Sequence, residues 1–269
     1  MTAIATGLSL PQRSERPRTR GLTMVIDNGM PVRAFEDAVE SASDHIDYVK
    51  FGWGTAIVTA KLQQKIDCLV GLGIAFYFGG TLFEKFVVQD DFNAYMQLCR
   101  NFGCQLVEIS NGTIPLSNHE KARYITRAAT EFSVFSEVGY KDAERSDHLS
   151  GQDWIRCIAE DLAAGASRVI TESRESGKSG ICRPDGTLRF DLIEGILASG
   201  IDPNCLVFEA PTKELQSFFV KRLGTEVNLA NIAPADVVGC ETLRLGLRSD
   251  TLLHFELERQ HLKEIPAGA

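Results

Sequence analysis

Short apolar segments that end in a charged residue recur along the chain, and they set the predicted fold. The clearest one is FSVFSEVGYK, residues 132–141, which starts with apolar, β-prone residues and ends with Glu137 and Lys141. A continuous apolar run of this kind is typical of a strand buried on both faces. Similar segments end in or carry Asp27, Lys50, Glu108, Glu172 and Glu209.

Eight such strands alternate with segments of helical periodicity. The strands are predicted over residues 22–27, 47–52, 74–78, 105–110, 132–141, 168–173, 205–210 and 227–231. This count predicts an α/β fold made of a single (β/α)₈ TIM barrel. An open doubly wound sheet also alternates strands and helices, but the first strand here lacks the GxGxxG motif of that fold.

The spacing of apolar residues between the strands predicts the helices. One helix is expected over residues 56–71, one up to about residue 102, and one near residues 240–247. Ser117 with Glu120 three residues later predicts a capping box at the start of another helix. Residues 142–150 are polar and are predicted to be a loop.

The barrel domain is predicted to span residues 21–258. Residues 1–20 are rich in Arg, Ser and Pro and show no periodicity, so we expect a flexible N-terminal arm with no apolar face to bury. Residues 259–269 are expected to form a mobile C-terminal tail.

Composition narrows the classes of function. The chain has 269 residues, 44% of them hydrophobic, a formal net charge of −8 and a pI near 5.2. An acidic chain of this kind argues against nucleic acid as a partner. No stretch predicts a membrane span or a secretory signal peptide, so we expect a cytoplasmic protein. We also expect it to be a homo-oligomer. The seven cysteines have no CxxC spacing and are expected to be reduced.

The strand-end carboxylates predict a metal site. In a parallel barrel the carboxyl ends of all strands meet at one mouth. Carboxylates gathered there repel one another, and a hard divalent cation relieves that repulsion. Oxygen ligands without histidine favour Mg²⁺, which usually takes only one or two carboxylates. The candidate ligands are Asp27, Glu108, Glu137, Glu172 and Glu209.

Basic residues near the same strand ends predict an anionic substrate. Lys50, Lys141, Arg174 and Lys178 are placed to bind phosphate, carboxylate or another oxyanion. Arg244 and Arg248 lie in the last strand–helix unit, where barrels often bind phosphate.

Two glycine-containing loops are further candidates for substrate binding. Gly79-Gly80-Thr81 follows the third strand and permits close backbone approach to a ligand. Ser176-Gly177-Lys178 looks like part of a phosphate loop but lacks the first glycine of GxxxxGK[ST], so a nucleoside triphosphate site is not expected.

Nine segments, in order, resemble the phosphosulfolactate synthase family. They cover residues 20–251 and are RGLTMVID, VKFGWGT, GGTLFE, VEISNGT, SEVG, ESRESGKSGI, FEAP, VNLANI and ETLRLGLRSDT. The resemblance implies a (β/α)₈ barrel that depends on Mg²⁺ and adds sulfite to phosphoenolpyruvate to give 2-phospho-3-sulfolactate. Asn231, in the VNLANI segment, joins the candidates for substrate binding.

One departure from the family pattern bears on the catalytic residues. Where the family is expected to have two consecutive lysines after SEVG, this chain has Tyr140 and Lys141. The expected catalytic residues are Glu137, Lys141, Lys50 and Arg174, with Lys141 as the proton donor or charge partner. Two alternatives stay open. Family membership does not settle the nucleophile, so a different nucleophile could be added to phosphoenolpyruvate on the same scaffold. The departure at Tyr140 is the reason for the second, a catalytically silent barrel with a binding or stress-associated role.

Overall fold

Eight short parallel strands form the centre of the molecule. The computed structural model describes residues 6–174 and 176–256. The strands are β1 Thr23–Asp27, β2 Tyr48–Phe51, β3 Ala75–Phe78, β4 Leu106–Ile109, β5 Ser133–Val138, β6 Arg168–Thr171, β7 Leu206–Glu209 and β8 Leu229–Ile232.

The strands form a nearly closed barrel. Their order is β3-β2-β1-β8-β7-β6-β5-β4, so neighbours in sequence pair with each other and β8 pairs with β1. The two strands at the ends of this order, β3 and β4, approach within 8 Å between Cα atoms. The predicted (β/α)₈ TIM barrel is therefore confirmed.

Helices connect the strands and cover the outside of the barrel. Those of the described residues are α1 Val32–Ser41, α2 Thr55–Val58, α3 Leu62–Gly71, α4 Gly80–Val88, α5 Phe92–Phe102, α6 Asn118–Ala128, α7 Ala143–His148, α8 Gly151–Ala163, α9 Phe190–Ala198, α10 Lys213–Leu223 and α11 Val237–Arg244.

The helices differ from their predicted bounds in four places, and side-chain capping explains two of them. The helix predicted up to residue 102 is two helices, because Asp90 has a φ of 55° and Asp91 caps α5 by accepting the Ala94 N–H. The predicted loop 142–150 contains α7, whose N-cap is Asp142. The helix predicted over 56–71 is likewise divided into α2 and α3, and the last helix begins at Val237 rather than Cys240. The capping box of Ser117 and Glu120 is confirmed.

The core has two layers, and the inner one closes the floor of the barrel. Side chains alternate along each strand, so every second residue faces the barrel axis. At the N-terminal half of the strands the inward residues are apolar and fully packed: Leu22, Met24, Tyr77, Leu106, Phe135, Ile170, Val207 and Ala230. The outward residues pack against the helices. Only the C-terminal half of the barrel interior is therefore left for polar side chains.

The N-terminal segment contacts the barrel, which differs from the predicted flexible arm. Arg13 donates to both carboxylate oxygens of Glu241 at 3.0 and 3.2 Å and to Glu226 Oε1 at 3.1 Å. Arg18 pairs with Asp47 at 3.2 Å, and Arg16 donates to the Ser43 and Gly73 carbonyls.

This segment has no apolar face to bury, but its arginines can still form polar contacts with the barrel. The arginines instead bind carboxylates and carbonyls at the N-terminal end of the barrel. The C-terminal tail predicted over residues 259–269 lies outside the described residues, as do residues 1–5, 257 and 258.

Two further features concern the cysteines and the lengths of the helices. All seven cysteines are free thiols, and Cys99, Cys104, Cys157, Cys182 and Cys240 are buried. Within residues 6–174 and 176–256, no helix has both the length and the apolar character needed to span a membrane.

We expect Arg13→Met to lower the melting temperature by about 4 °C or more, because it leaves Glu241 and Glu226 without their buried partner, a loss of order 2 kcal/mol. Arg20→Met is the matched control, since the Arg20 side chain is 61% exposed and lies 3.6 Å from Glu226. Thermal unfolding followed by circular dichroism measures both. Equal melting temperatures for the two variants would show that the Arg13 contacts do not hold the segment in place.

Candidate active site

A polar cavity of about 350 Å³ opens at the C-terminal ends of the strands. The apolar floor closes it from below. Its lining residues come from all eight strand ends or the loops that follow them, which is where TIM barrels place their active sites. They are Ile26, Lys50, Trp53, Gly79, Gly80, Thr81, Glu108, Glu137, Lys141, Glu172, Arg174, Ser176, Glu209 and Asn231.

Lys141 lies between two glutamates. Its Nζ donates to Glu137 Oε1 at 2.6 Å and lies 3.0 Å from Glu172 Oε2. Burial lowers the pKa of Lys141, but the charges of Glu137 and Glu172 outweigh that effect and hold the pKa well above 10.5. The side chain therefore stays an ammonium as long as Glu137 and Glu172 are ionised.

Gly139 allows Lys141 to return to the cavity. Its φ is 124°, in a region that residues with a Cβ rarely adopt, and a Cβ there would lie 2.7 Å from both Glu172 and the Trp154 ring. After this turn, the Lys141 N–H donates to the Gly112 carbonyl at 3.0 Å. The glycine of SEVG therefore has a geometric role: it brings Lys141 back beside Glu137.

Lys50 lies between the other two glutamates. Its Nζ is 3.3 Å from Glu108 Oε2 and 3.4 Å from Glu209 Oε1. Although burial lowers the pKa of Lys50, Glu108 and Glu209 raise it well above 10.5.

Backbone and amide donors hold the glutamates that face Lys50. The Gly80 N–H at the start of α4 donates to Glu108 Oε1 at 2.5 Å. Glu209 accepts from the Ser173 N–H at 2.9 Å and from Asn231 Nδ2 at 2.5 Å. A Cβ on Gly80 would lie 2.9 Å from the Glu108 carboxylate and 2.4 Å from Ser110 Oγ, so this close approach requires glycine.

Glu108, Glu137 and Glu172 differ in proton affinity. Burial raises the pKa of Glu108 to about 7 despite the nearby Lys50. Burial also raises the pKa of Glu172 well above 4.5. Burial alone would raise the pKa of Glu137 too, but Lys141 and Lys50 bring it to about 2. Of these three carboxylates, Glu137 is the one that stays ionised, whereas Glu172 and Glu108 take up protons more readily.

The cavity contains acceptor oxygens that lack a donor. Glu108 Oε2, Glu172 Oε2 and Asn231 Oδ1 are buried and have no hydrogen-bond partner, although the two glutamate oxygens lie near lysines. When ionised, four carboxylates face two ammonium groups, and negative charge is in excess. This donor set suits a cation that prefers oxygen ligands.

The same set does not form a preassembled metal cage. Among the described residues, no three His, Cys, Asp or Glu side chains are gathered closely enough to hold a metal ion. The arrangement therefore fits Mg²⁺ only in its usual form, with one or two carboxylates and the remaining ligands from water and substrate.

The fifth predicted ligand, Asp27, is outside the cavity. Ile26 faces the cavity, so the next side chain along β1 must face the helices. Asp27 Oδ2 pairs there with the fully buried Lys65 at 2.5 Å, and Oδ1 accepts from the Gly29 and Met30 N–H groups. Asp27 is a structural residue of the β1–α1 turn.

Four of the predicted substrate-binding residues also lie elsewhere. Arg244 is fully buried and donates to the Thr225 and Val227 carbonyls at the N-terminal end of β8, so it has no access to substrate. Arg248 pairs with Asp250 at 3.2 Å. Lys178 is exposed, and Gly177 lines a separate surface cavity with Thr212 and Leu215.

Tyr140 does not line the cavity. Its ring lies beneath the Arg145 guanidinium, 4.1 Å from ring centroid to Cζ, and its carbonyl accepts from Ser179 Oγ. Among the residues of this segment, Lys141 lines the cavity and Tyr140 does not.

Two lining residues were not predicted from the sequence. Ile26 and Trp53 line the cavity, although neither carries a charge. Trp53 stands in the VKFGWGT segment directly after Gly52, and this flanking by glycines was the available signal. A charge at a strand end marks a polar lining residue, whereas an apolar lining residue carries no such mark in the sequence.

A TIM barrel with paired lysines and glutamates at its C-terminal mouth has the architecture of an enzyme active site. A sequence model of (2R)-phospho-3-sulfolactate synthase (ComA) matches residues 11–250. The chain belongs to the phosphosulfolactate synthase family, whose members are enzymes that form a carbon–sulfur bond.

Relatives support this membership along most of the chain. The phosphosulfolactate synthase of Bacillus subtilis is 52% identical over 244 residues, which cover 91% of this chain and 97% of the relative. That of Methanothermobacter thermautotrophicus is 42% identical over 246 residues, covering 90% and 95%. Among solved structures, 3-hexulose-6-phosphate synthase from Salmonella typhimurium has a TM-score of 0.56 at 12% identity, covering 87% of this chain and 99% of its own, and it shares the fold.

The raised pKa of Glu108 predicts a pH-dependent stability. Because its folded pKa of about 7 exceeds the ordinary value of 4.5, the folded state binds the extra proton, and stability falls as pH rises through this window. Glu108→Gln removes this loss, so the variant should gain stability over wild type between pH 5 and pH 8, by of order 3 kcal/mol when the shift is fully expressed. Thermal unfolding in chelating buffer at both pH values measures the difference. The same difference at pH 5 and pH 8 would contradict the assignment.

Proposed function

We propose that this chain catalyses the Mg²⁺-dependent addition of sulfite to phosphoenolpyruvate, giving 2-phospho-3-sulfolactate. The observation that carries the proposal is the position of the Lys141 ammonium, held between Glu137 and Glu172 in the cavity and facing the second pair formed by Lys50 and Glu108. Family membership supports it, because the relatives bear the name of this product's synthase.

The proposed substrate is a multiply charged anion. The cavity has groups that can bind such an anion once the negative charge of the cavity glutamates is balanced. Arg174 lines the cavity with an exposed side chain, and Lys50 contributes a buried ammonium. Thr81 and Ser176 add hydroxyl groups at the rim. Mg²⁺, when bound by one or two of Glu108, Glu137 and Glu172, would supply positive charge that attracts the anion and stabilises an enediolate.

The chemistry needs a cation near the carboxylate of the substrate and a proton for C2. The sulfur lone pair of sulfite forms a bond to C3 of phosphoenolpyruvate, and the electrons of the double bond move toward the carboxylate. Lys50 and Lys141 stabilise this negative charge, since both are held in the charged form. Protonation of C2 by Lys141 then restores the carboxylate and completes the product.

The electrostatics of the cavity explain how Lys141 becomes an acid. Glu137 and Glu172 raise its pKa, so any positive charge brought to these glutamates lowers it and favours release of the proton. The orientation of Tyr140 away from the cavity supports the same assignment, because it leaves Lys141 as the lysine of this segment that lines the cavity.

Activity should depend on a divalent cation and on sulfite. Purified protein treated exhaustively with chelator should lose turnover of phosphoenolpyruvate and regain it with Mg²⁺, because the unbalanced glutamates repel the anionic substrate. Product formation is measured by phosphorus NMR with a panel of nucleophiles. Full activity after chelation would overturn the metal requirement, and turnover with a nucleophile other than sulfite would assign a different reaction to the same scaffold.

Two substitutions of Lys141 separate its possible roles. If Lys141 donates the proton, both Lys141→Arg and Lys141→Met should lower kcat by about 10²-fold or more, because arginine holds its proton too tightly to act as an acid. If Lys141 supplies only charge, Lys141→Arg should keep much of the rate. Steady-state kinetics at saturating substrate measures kcat.

Lys178→Met is the matched control. Lys178 lies in the loop after β6, at the same end of the barrel as Lys141, but it is exposed and does not line the cavity. It should keep kcat within about twofold of wild type. Near wild-type turnover by Lys141→Met would refute both roles of Lys141. Assembly as a homo-oligomer and a cytoplasmic location stay predictions.

A further inference from the structure

Strained backbone is concentrated at the cavity. In the described part of the chain, four residues other than glycine have a positive φ: Trp53 at 48°, Asp90 at 55°, Arg174 at 54° and Asn231 at 57°. Three of the four, all except Asp90, line the cavity. Strained residues of this kind persist only where the surrounding structure holds them, and they cluster at functional sites. Trp53 stands out, because a bulky side chain adopts this conformation less readily than Asn.

The ends of three neighbouring strands hold Trp53 in this conformation. The Gly52 N–H donates to the Asp27 carbonyl and the Gly79 N–H to the Phe51 carbonyl, both at 2.9 Å. A Cβ on Gly79 would lie 3.0 Å from the Trp53 nitrogen, so the third strand end packs directly against this backbone. The Thr55 N–H then closes the turn on the Gly52 carbonyl at 3.0 Å. The turn after β2 is therefore fixed, and it places the indole at the cavity rim.

The indole has apolar surface to offer a ligand. Trp53 is 40% exposed although it lines the cavity, and none of the described aromatic rings stacks on it. Trp154, by contrast, is completely buried. Apart from Ile26, Trp53 is the large apolar residue among the described residues that line an otherwise polar cavity. An exposed ring above paired lysines and glutamates is suited to cover a ligand that binds to those charges.

Resting on the proposed function, we propose that Trp53 is a substrate-contacting specificity residue: its indole packs against the planar enol-carboxylate of the bound substrate and excludes water from the reacting carbons. The flat face of the indole matches a flat, conjugated ligand. Exclusion of water strengthens the interactions of Lys50 and Lys141 with the developing charge, because those interactions weaken in a solvated cavity.

Fluorescence tests the contact without turnover. Phosphoenolpyruvate with Mg²⁺, and no sulfite, should protect Trp53 from acrylamide and reduce collisional quenching by about twofold or more, since the 40% exposed ring becomes covered. Trp53→Phe is the matched control, because its remaining tryptophan is the buried Trp154, and its quenching should not change. Isothermal titration calorimetry on the same samples measures substrate binding directly.

Kinetics tests the function of the contact. Trp53→Gly suits the left-handed backbone and removes only the side chain, so it should fold and lower kcat/KM for phosphoenolpyruvate by about tenfold, as expected for loss of one aromatic contact. Trp53→Phe keeps a ring and should recover most of that loss.

The outcomes separate this inference from the proposed function. Phosphoenolpyruvate binding by calorimetry together with unchanged quenching, or full kcat/KM in Trp53→Gly, overturns the role of Trp53 and leaves the proposed reaction standing. Absence of phosphoenolpyruvate binding overturns both. Binding with protection of wild type alone, and with a ring-dependent kcat/KM, establishes the contact.

Discussion

Mutual repulsion among four buried glutamates is the constraint on which the site depends. Glu108, Glu137, Glu172 and Glu209 converge from four strands into one mouth, where charged carboxylates are costly to hold. Lys50 and Lys141 offset this cost, and N–H groups at the ends of β3 and β6 hold two of the glutamates in place. The positions of the lysines, the turn at Gly139 that brings Lys141 back to the cavity, and the uneven proton affinities of Glu108, Glu137 and Glu172 follow from this balance together with burial.

Buried charge occurs at both ends of the barrel, and its partners differ between the two ends. At the N-terminal end, Arg13 pairs with Glu226 and Glu241, and Arg244 donates to main-chain carbonyls, although its Nε is buried without a hydrogen-bond partner. At the C-terminal end, oxygens of Glu108 and Asn231 lack hydrogen-bond donors and face an open cavity. The pairs at the N-terminal end hold the fold together, whereas unpaired acceptor oxygens that line a cavity are accessible to a ligand.

Packing explains why the reactive groups can sit where they do. The apolar layer around Tyr77 and Phe135 fills the lower half of the barrel interior, so the charged residues rest on a rigid floor and water enters from one side only. Because side chains alternate along each strand, every second residue of a strand points into the barrel. A register shift between β1 and β8, where Asn231 adopts a positive φ, breaks that alternation and turns an amide into the cavity beside Glu209.

The sequence by itself determined the barrel, its strands and the convergence of Glu108, Glu137, Glu172 and Glu209, because apolar runs that end in charges are a local pattern and parallel strand ends meet by topology. Tertiary structure decided which charges face the cavity. Asp27 and Arg244 have the right residue types, but alternation and burial direct them to the helix layer and the opposite end. Tertiary structure also decided that Arg13 binds the barrel and that Trp53 lies at the cavity rim. Each of these positions depends on contacts with residues distant in sequence, and the periodicity of a sequence does not predict such contacts.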